Sequence, residues 1–253
     1  DQDNILPILK EQQDEKDIDT LISFMQSILG EGFFEIRSFA LDNMLDIIKS
    51  DLINFGVKHN LWFFESSLYF EEKGKPSKAD KAISDLSSND FVYEKDGAIW
   101  FKSSELRDDK DRVLQRSNGD HTYFSSDVAY HIDKYNRSYG RIINIWGSDH
   151  HGYLPRVRAA MEASGKDLNK LEVVFIQFAN LVRNGEKVSM STRSGDFITL
   201  SELMNEVTPE AARFFYINRK ADQHLEFDLG LAREQSKDNP LYYIQYAHAR
   251  ICS

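Results

Sequence analysis

One stretch of this chain leaves little freedom for the fold around it. Arg141-Ile142-Ile143-Asn144-Ile145-Trp146 is nearly continuous in apolar character; a loop of glycine and polar residues follows, then a helical pattern over residues 154–163, then a second apolar run over residues 171–181. Strands apolar along both faces belong in a sheet covered on both sides, and a helical crossover between two of them makes the pair parallel. The spacing therefore predicts an α/β fold in which the loop from Gly147 to Gly152 leaves the carboxyl end of a buried strand. In open sheets of this kind ligands collect beyond those strand ends.

Other segments read more locally. Residues 17–29 place Ile18, Leu21, Ile22, Met25 and Ile28 at helical spacing, and residues 38–55 repeat the pattern with Leu41, Met44, Leu45, Ile48, Leu52 and Phe55, which predicts two helices packed in a core. Residues 61–69 are too aromatic for a loop, and Glu65 within them reads as a helix-start charge. Asp96-Gly97 between two aromatic-rich runs predicts a hairpin over residues 91–101, because a tight turn requires positive φ. Residues 113–116 read as a strand, Asn118-Gly119 as a turn and residues 122–124 as a return strand entering a helix over 126–135. Arg183-Asn184-Gly185-Glu186 is a further turn, Thr199-Leu200-Ser201-Glu202 a capping box, and Thr208-Pro209 and Asn239-Pro240 are helix starts.

Composition narrows the functional classes. A hydrophobic content of 41% with 12% aromatic residues over 253 positions can fill a real core. The net charge of −10 disfavours indiscriminate binding to polyanions, so a nucleic-acid partner needs a local basic patch. The single cysteine, Cys252, allows neither an internal disulfide nor a cysteine zinc cluster. With no run as long as a membrane span and no leader-like start, the cytoplasm is the expected compartment. The chain opens on Asp1 and stops at Ser253 within a helical pattern, which reads as a piece of something longer.

Three blocks carry chemistry. In the first, Tyr123 and Asp127 stand four apart at a strand-to-helix junction, where an acid can hold a guanidinium or ammonium group; the plainer reading is a carboxylate that favours its helix N-terminus. In the second, Asp149-His150-His151 lies in the strand-end loop and could bind metal, act as acid and base, or hydrogen-bond a ribose and an amino group. Adjacent histidines rarely face one metal, so no protein-bound metal is expected, and one of the two histidines reads as structural. The third, Ser189-Met190-Ser191-Thr192-Arg193-Ser194-Gly195, has the hydroxyls, arginine and glycine of a flexible phosphate clamp, against the alternative of a solvated turn. It lacks the glycine spacing of a P-loop.

Taken together, the blocks resemble the bacterial arginyl-tRNA synthetases, class I enzymes with a Rossmann catalytic domain. Trp146-Gly147-Ser148-Asp149-His150-His151-Gly152-Tyr153 is similar to a loop of that family, and Met190-Ser191-Thr192-Arg193 to its version of the KMSKS loop. The likeness continues through Thr122-Tyr123 with Asp127, Ala211-Ala212-Arg213-Phe214-Phe215, Leu225-Glu226-Phe227-Asp228 and the segment from Asn239 to Arg250. It implies condensation of arginine with ATP, as the Mg2+ complex, to arginyl-adenylate, followed by transfer to the 3′ end of tRNA(Arg). By position it assigns Tyr123, Asp127 and His150 to arginine, and Gly147, Asp149, His150, Met190, Ser191 and Arg193 to ATP. Ser191, Thr192 and Arg193 would act on the phosphates, and the helix from Asn239 would begin the tRNA-binding domain. A monomer is expected.

Two departures from the family stand out. Ser189 and Thr192 replace lysines of the KMSK core, leaving Arg193 and Lys187 as nearby cations, and no His-x-Gly-His signature occurs. The expectation is thus the second half of a Rossmann-like catalytic domain over residues 106–200, preceded by an α-rich connecting region over 1–105 and followed by a helical junction over 201–253. Such a piece would be inactive alone. Two rivals stay open: a metal-dependent phosphoesterase of the DHH type, suggested by Asp149-His150-His151, and a non-catalytic tRNA-binding paralogue.

Overall fold

The computed structural model describes residues 18–71, 74–188, 190 and 197–253, and the chain divides into two compact units at Lys58 and His59. The first unit holds α1 (Ile18–Leu29) and α2 (Glu31–Asn54), separated at Gly30, whose φ of 54° is open to a residue without a side chain. Both helices form where the apolar spacing placed them, with α2 starting earlier. Their packing differs from expectation: no residue of α2 is buried, and Ile22, Ile28, Phe39, Met44 and Ile53 are all exposed. A helical apolar stripe predicts a face in want of a partner, and among the described residues of this unit much of it stays exposed.

The first part of the second unit is built around an apolar cluster running from Leu68 to Leu171. After a 3-10 turn at Glu65–Leu68 comes α3 (Lys78–Ser88), capped by the Ser77 hydroxyl, which accepts from the Asp80 amide. The strands β1 (Val92–Lys95), β2 (Ala98–Phe101) and β3 (Arg112–Gln115) form an antiparallel sheet. Its first hairpin turns on Asp96 at φ 53° and Gly97 at φ 74°, as the Asp-Gly pair requires. Residues 61–64, in contrast, adopt no regular structure although Leu68 beyond them is buried, so aromatic content there reported packing and not a strand or helix.

No return strand forms at residues 122–124. A single bridge joins Gln115 to His121, and α4 (Tyr123–Asn136) begins at once. The reason is Thr122: its hydroxyl donates to the Val113 carbonyl at 2.7 Å and accepts from the Ser125 amide at 3.3 Å, so it serves as helix cap while tying the chain to β3. Then β4 (Ile142–Gly147) pairs in parallel with β5 (Leu171–Ile176), joined by a 3-10 segment at Ser148–Tyr153 and by α5 (Leu154–Ala163), whose start carries Pro155. This is the strand-loop-helix-strand unit expected of an α/β fold, but β4 is covered on one face only among the described residues: Ile142 and Asn144 are buried while Ile143 and Ile145 are exposed.

The apolar run over 171–181 is not one strand. It breaks after Ile176, where the Gln177 amide donates to the Ala221 carbonyl and its side-chain oxygen accepts from Ser148 Oγ at 3.0 Å. Beyond the break, β6 (Ala179–Arg183) joins a second sheet, antiparallel to β7 (Glu186–Lys187) and parallel to β8 (Leu225–Asp228). Around it lie α6 (Leu200–Val207), opened by the complete Thr199/Glu202 capping box, and α7 (Pro209–Ile217), with Phe215 and Tyr216 packed on the fully buried Phe227. The short α8 (Leu229–Arg233) follows β8, and α9 (Pro240–Cys252) begins at Asn239, whose buried side chain caps it. Among the described residues no helix is long and apolar enough to cross a membrane.

Candidate active site

Helix α4 and the loop after β4 face one another across a cleft of about 330 Å³, lined by Tyr123, Asp127, Tyr130, His131, Lys134, Trp146, His150 and Tyr153. The cap at Thr122 fixes where α4 starts, which sets Tyr123 and Asp127 one turn apart on its exposed edge. Tyr123 is 84% exposed and Asp127 half-buried. A second cleft of about 290 Å³ shares Tyr123, Asp127 and Tyr130 and adds Phe63, Glu65 and Ser126. Asp127 therefore stands between two openings walled by aromatic rings. It lies beyond the first turn of α4, so stabilisation of the helix terminus does not account for its place.

The electrostatics single out this carboxyl. Burial pushes Asp127 above its usual range; a hydrogen bond donated by the Tyr153 hydroxyl opposes that, Glu65 adds to it, and Lys134 and His150 pull the other way. No salt bridge to Asp127 forms among the described residues, and Lys134, which acts on it electrostatically, is held elsewhere: its Nζ donates to Asn144 Oδ1 at 2.8 Å. Asn144, buried on β4, donates in turn to His131 Nε2 at 2.8 Å, and His131 Nδ1 donates to the Asp127 main-chain carbonyl at 2.7 Å. Both imidazole nitrogens are thus committed to the neutral ring. Burial, reinforced by Lys134, holds the His131 pKa down to about 4, and burial with Arg137 brings Lys134 down to about 8 despite the pull of Asp127.

The loop residues divide by role. A side chain on Gly147 would meet the Asp149 carboxylate at 2.5 Å, so the exposed Asp149 side chain lies against the strand end where glycine leaves room and would have to swing aside for a larger residue. Asp149 and His150 are exposed and 3.7 Å apart, and His150 reaches the cleft of Asp127. His151 turns away: it stacks on Phe175 with centroids 3.6 Å apart and donates from Nδ1 to the Ser148 carbonyl. On the other side of Asp149, His150 and Tyr153 lies an open cleft of about 670 Å³ that also includes Arg107 and Arg156. Asp108 on its wall is spoken for; burial would raise its pKa, but the two hydrogen bonds from Arg112 hold it well below the usual carboxylate range.

Of the residues expected from sequence, Tyr123, Asp127 and His150 come together in one cleft, and Asp149 stands beside them at the mouth of the next. Met190 is exposed. Ser191, Thr192 and Arg193 lie outside the described residues. Sequence reasoning passed over Glu65, Tyr130, Lys134 and Tyr153 as site residues. Glu65 carried a signal, an acid amid aromatics, but was assigned to its helix start; Tyr153 was legible only as the end of the loop. The described residues contain no cluster of three or more histidine, cysteine or carboxylate side chains placed to hold a metal.

A half-buried, unpaired carboxylate between aromatic walls, beside a glycine loop at the end of a parallel strand, can take a flat organic cation while a polar group sits at the loop. Comparison with known proteins agrees in kind. Residues 37–228 match the family described as tRNA synthetases class I (R), catalytic domain. Arginine--tRNA ligase of Acinetobacter baumannii (strain AYE) is 55% identical over 238 residues, covering 94% of this chain and 39% of that protein. Its counterpart in Aromatoleum aromaticum is 51% identical over 254 residues, covering 98% and 42%. A solved Campylobacter jejuni protein assigned as an arginyl-tRNA synthetase superposes with a TM-score of 0.80 at 37% identity, over 94% of this chain and 52% of that one. The Thermus thermophilus arginyl-tRNA synthetase, at 19% identity and a TM-score of 0.65, shows the same fold over 96% of this chain and 50% of its own. The chain spans about 40% of the length of the curated relatives it matches, and it belongs to the arginine branch of the class I tRNA synthetase catalytic-domain family.

Proposed function

We propose that this chain forms the arginine-selecting part of an arginine–tRNA ligase, which activates L-arginine with ATP and passes the arginyl group to tRNA(Arg). The observation that carries the reading is Asp127: a carboxylate with no ion pair among the described residues, half-buried between Tyr123 and Tyr130, with Lys134 tied back to Asn144. In the reaction, the arginine carboxylate attacks the α-phosphorus of ATP and pyrophosphate leaves; a ribose hydroxyl of tRNA then attacks the acyl carbon and AMP leaves. Asp127 and Tyr123 orient the guanidinium, and His150 meets the aminoacyl end. Gly147 and Asp149 line the adenosine side, joined by Met190. Ser191 and Arg193 complete the phosphate contacts with Thr192. ATP enters as its Mg2+ complex, and catalysis is positioning and charge stabilisation without a covalent enzyme intermediate.

The catalytic segment is assigned to residues 106–200, the connecting region to 1–105 and the junction toward the tRNA-binding helices to 201–253. The setting is cytoplasmic and the protein monomeric. The test is Asp127→Asn in the full-length enzyme: the arginine KM in ATP–pyrophosphate exchange should rise on the order of a hundredfold, with the ATP KM little changed. Equal losses for both substrates would return Asp127 to a structural role. This chain alone should support no arginine-dependent exchange even with tRNA present, because donors on the remaining part of the protein contribute to the rate.

A further inference from the structure

Tyr153 closes the 3-10 segment after β4 and is held from three sides. Its ring meets Trp146 edge-on at 5.9 Å and Phe124 at 6.4 Å, and the Arg156 guanidinium lies over it at 4.8 Å from the centroid. The Nε of Arg156 is buried and makes no hydrogen bond among the described residues, and the ring face is a contact of that group. With the ring fixed, the hydroxyl has one direction to point, and it donates to Oδ2 of Asp127, 26 residues earlier in the chain. No hydrogen bond to the other oxygen, Oδ1, forms among the described residues.

A neutral donor suits this position for a physical reason. A carboxylate that must receive a cation has to be ionised and oriented yet not neutralised beforehand. A lysine or arginine hydrogen-bonded to Asp127 would occupy it; a phenol orients one oxygen and favours the charged form without adding charge. The cation over the phenol ring strengthens the hydroxyl as a donor. We propose that Tyr153, supported by Arg156, is a positioning residue for the amino-acid substrate, holding Asp127 by one oxygen so that the second is free for the cationic side chain. The proposal rests on the reading of Asp127 given above.

The experiment uses the full-length enzyme with Tyr153→Phe, which keeps the ring and removes the donor. The arginine KM should rise roughly tenfold to a hundredfold, the usual range for a hydrogen bond to a charged group, with the ATP KM unchanged. The acid limb of kcat/KM for arginine should also move to higher pH, because the contact that favours ionised Asp127 is gone. The charged groups facing Asp127, namely Glu65 before α3, Lys134 on α4 and His150 on the loop, are the same in both proteins, so the shift reports on the hydroxyl. A purely structural role would leave that limb in place. Fluorinated tyrosine incorporated at position 153 preserves the packing with a stronger donor and should move the limb the opposite way, which decides the matter even if Tyr153→Phe folds poorly. An unmoved limb in either protein, with Asp127→Asn still raising the arginine KM, overturns the role of Tyr153; an Asp127→Asn enzyme with an unchanged KM removes the underlying reading instead.

Discussion

The two units of this chain have similar apolar spacing and opposite fates. In residues 18–58 the helices α1 and α2 carry as many isoleucines, leucines and phenylalanines as any core element, yet Phe39 is 72% exposed and Ile53 60%. In residues 59–253 the same kind of pattern on α3 buries Ala79, Ala82, Ile83 and Leu86 against strands and helices distant in sequence. Helical periodicity specifies that a helix has an apolar face; what covers the face is a separate fact, supplied by tertiary contacts. The comparison makes quantitative demands. Phe101→Ala, at a fully buried ring beside Phe91 and Phe124, should cost about 3–5 kcal/mol of unfolding free energy in this chain. A denaturant titration giving less than about 1 kcal/mol would mean that the second unit has no cooperative core to set against the first.

The same contrast explains what sequence could and could not disclose. The hairpin at Asp96-Gly97, the parallel β4–α5–β5 unit and the capping box at Thr199 were legible because each depends on residues near one another: a turn with positive φ, a strand with its crossover helix, a hydroxyl three residues from its amide. The return strand at 122–124 failed because Thr122 had two local uses, and the one as helix cap won through a hydrogen bond to β3 that spacing does not reveal. The break after Ile176 failed likewise, since it is made by partners at Ser148 and Ala221. In the site, Tyr123, Asp127 and His150 stood out by motif, whereas Glu65 and Tyr153 act on Asp127 from other elements, and long-range placement of this kind leaves no periodic trace.

Acid should separate the units next. His131 is buried as the neutral ring, its pKa lowered from 6.5 to about 4, so protons bind the unfolded chain first. Its contribution is complete above pH 6.5 and declines as the pH falls toward 4, by at most about 3 kcal/mol. The described part of the first unit, residues 18–58, contains no histidine, so helix content there should not follow this course. Thermal unfolding between pH 7 and pH 4.5, followed at the tyrosines and tryptophans of the second unit, checks this, with His131→Gln as the control that should flatten the slope. An undiminished slope in that variant would assign the acid sensitivity to other groups.

Smaller again is the capping box. Thr199 accepts from the Glu202 amide at 3.1 Å while the Glu202 carboxylate accepts from the Thr199 amide at 2.7 Å, an arrangement that also holds the Glu202 pKa down. Thr199→Ala should cost about 1 kcal/mol, enough to fray α6 but not to unfold the unit. Amide exchange at Leu200 to Glu202 would register it, and protection equal to the parent would show that the buried Leu203 and Met204 hold the helix start without a cap.

The smallest effect is the sharpest test of the contrast. Phe39→Ser on α2 removes a large ring that is already in water, so little transfer free energy is lost, and phenylalanine and serine have similar helix propensities. The expected change in unfolding free energy is within about 0.5 kcal/mol, against the several expected at Phe101, for the loss of a ring of the same kind. Solubility should improve, because an exposed apolar stripe favours association. Measured in this chain by the same denaturant titration, a loss above about 1 kcal/mol would show that Phe39 is covered in solution, and that the two units differ in what their partners are and not in whether they have any.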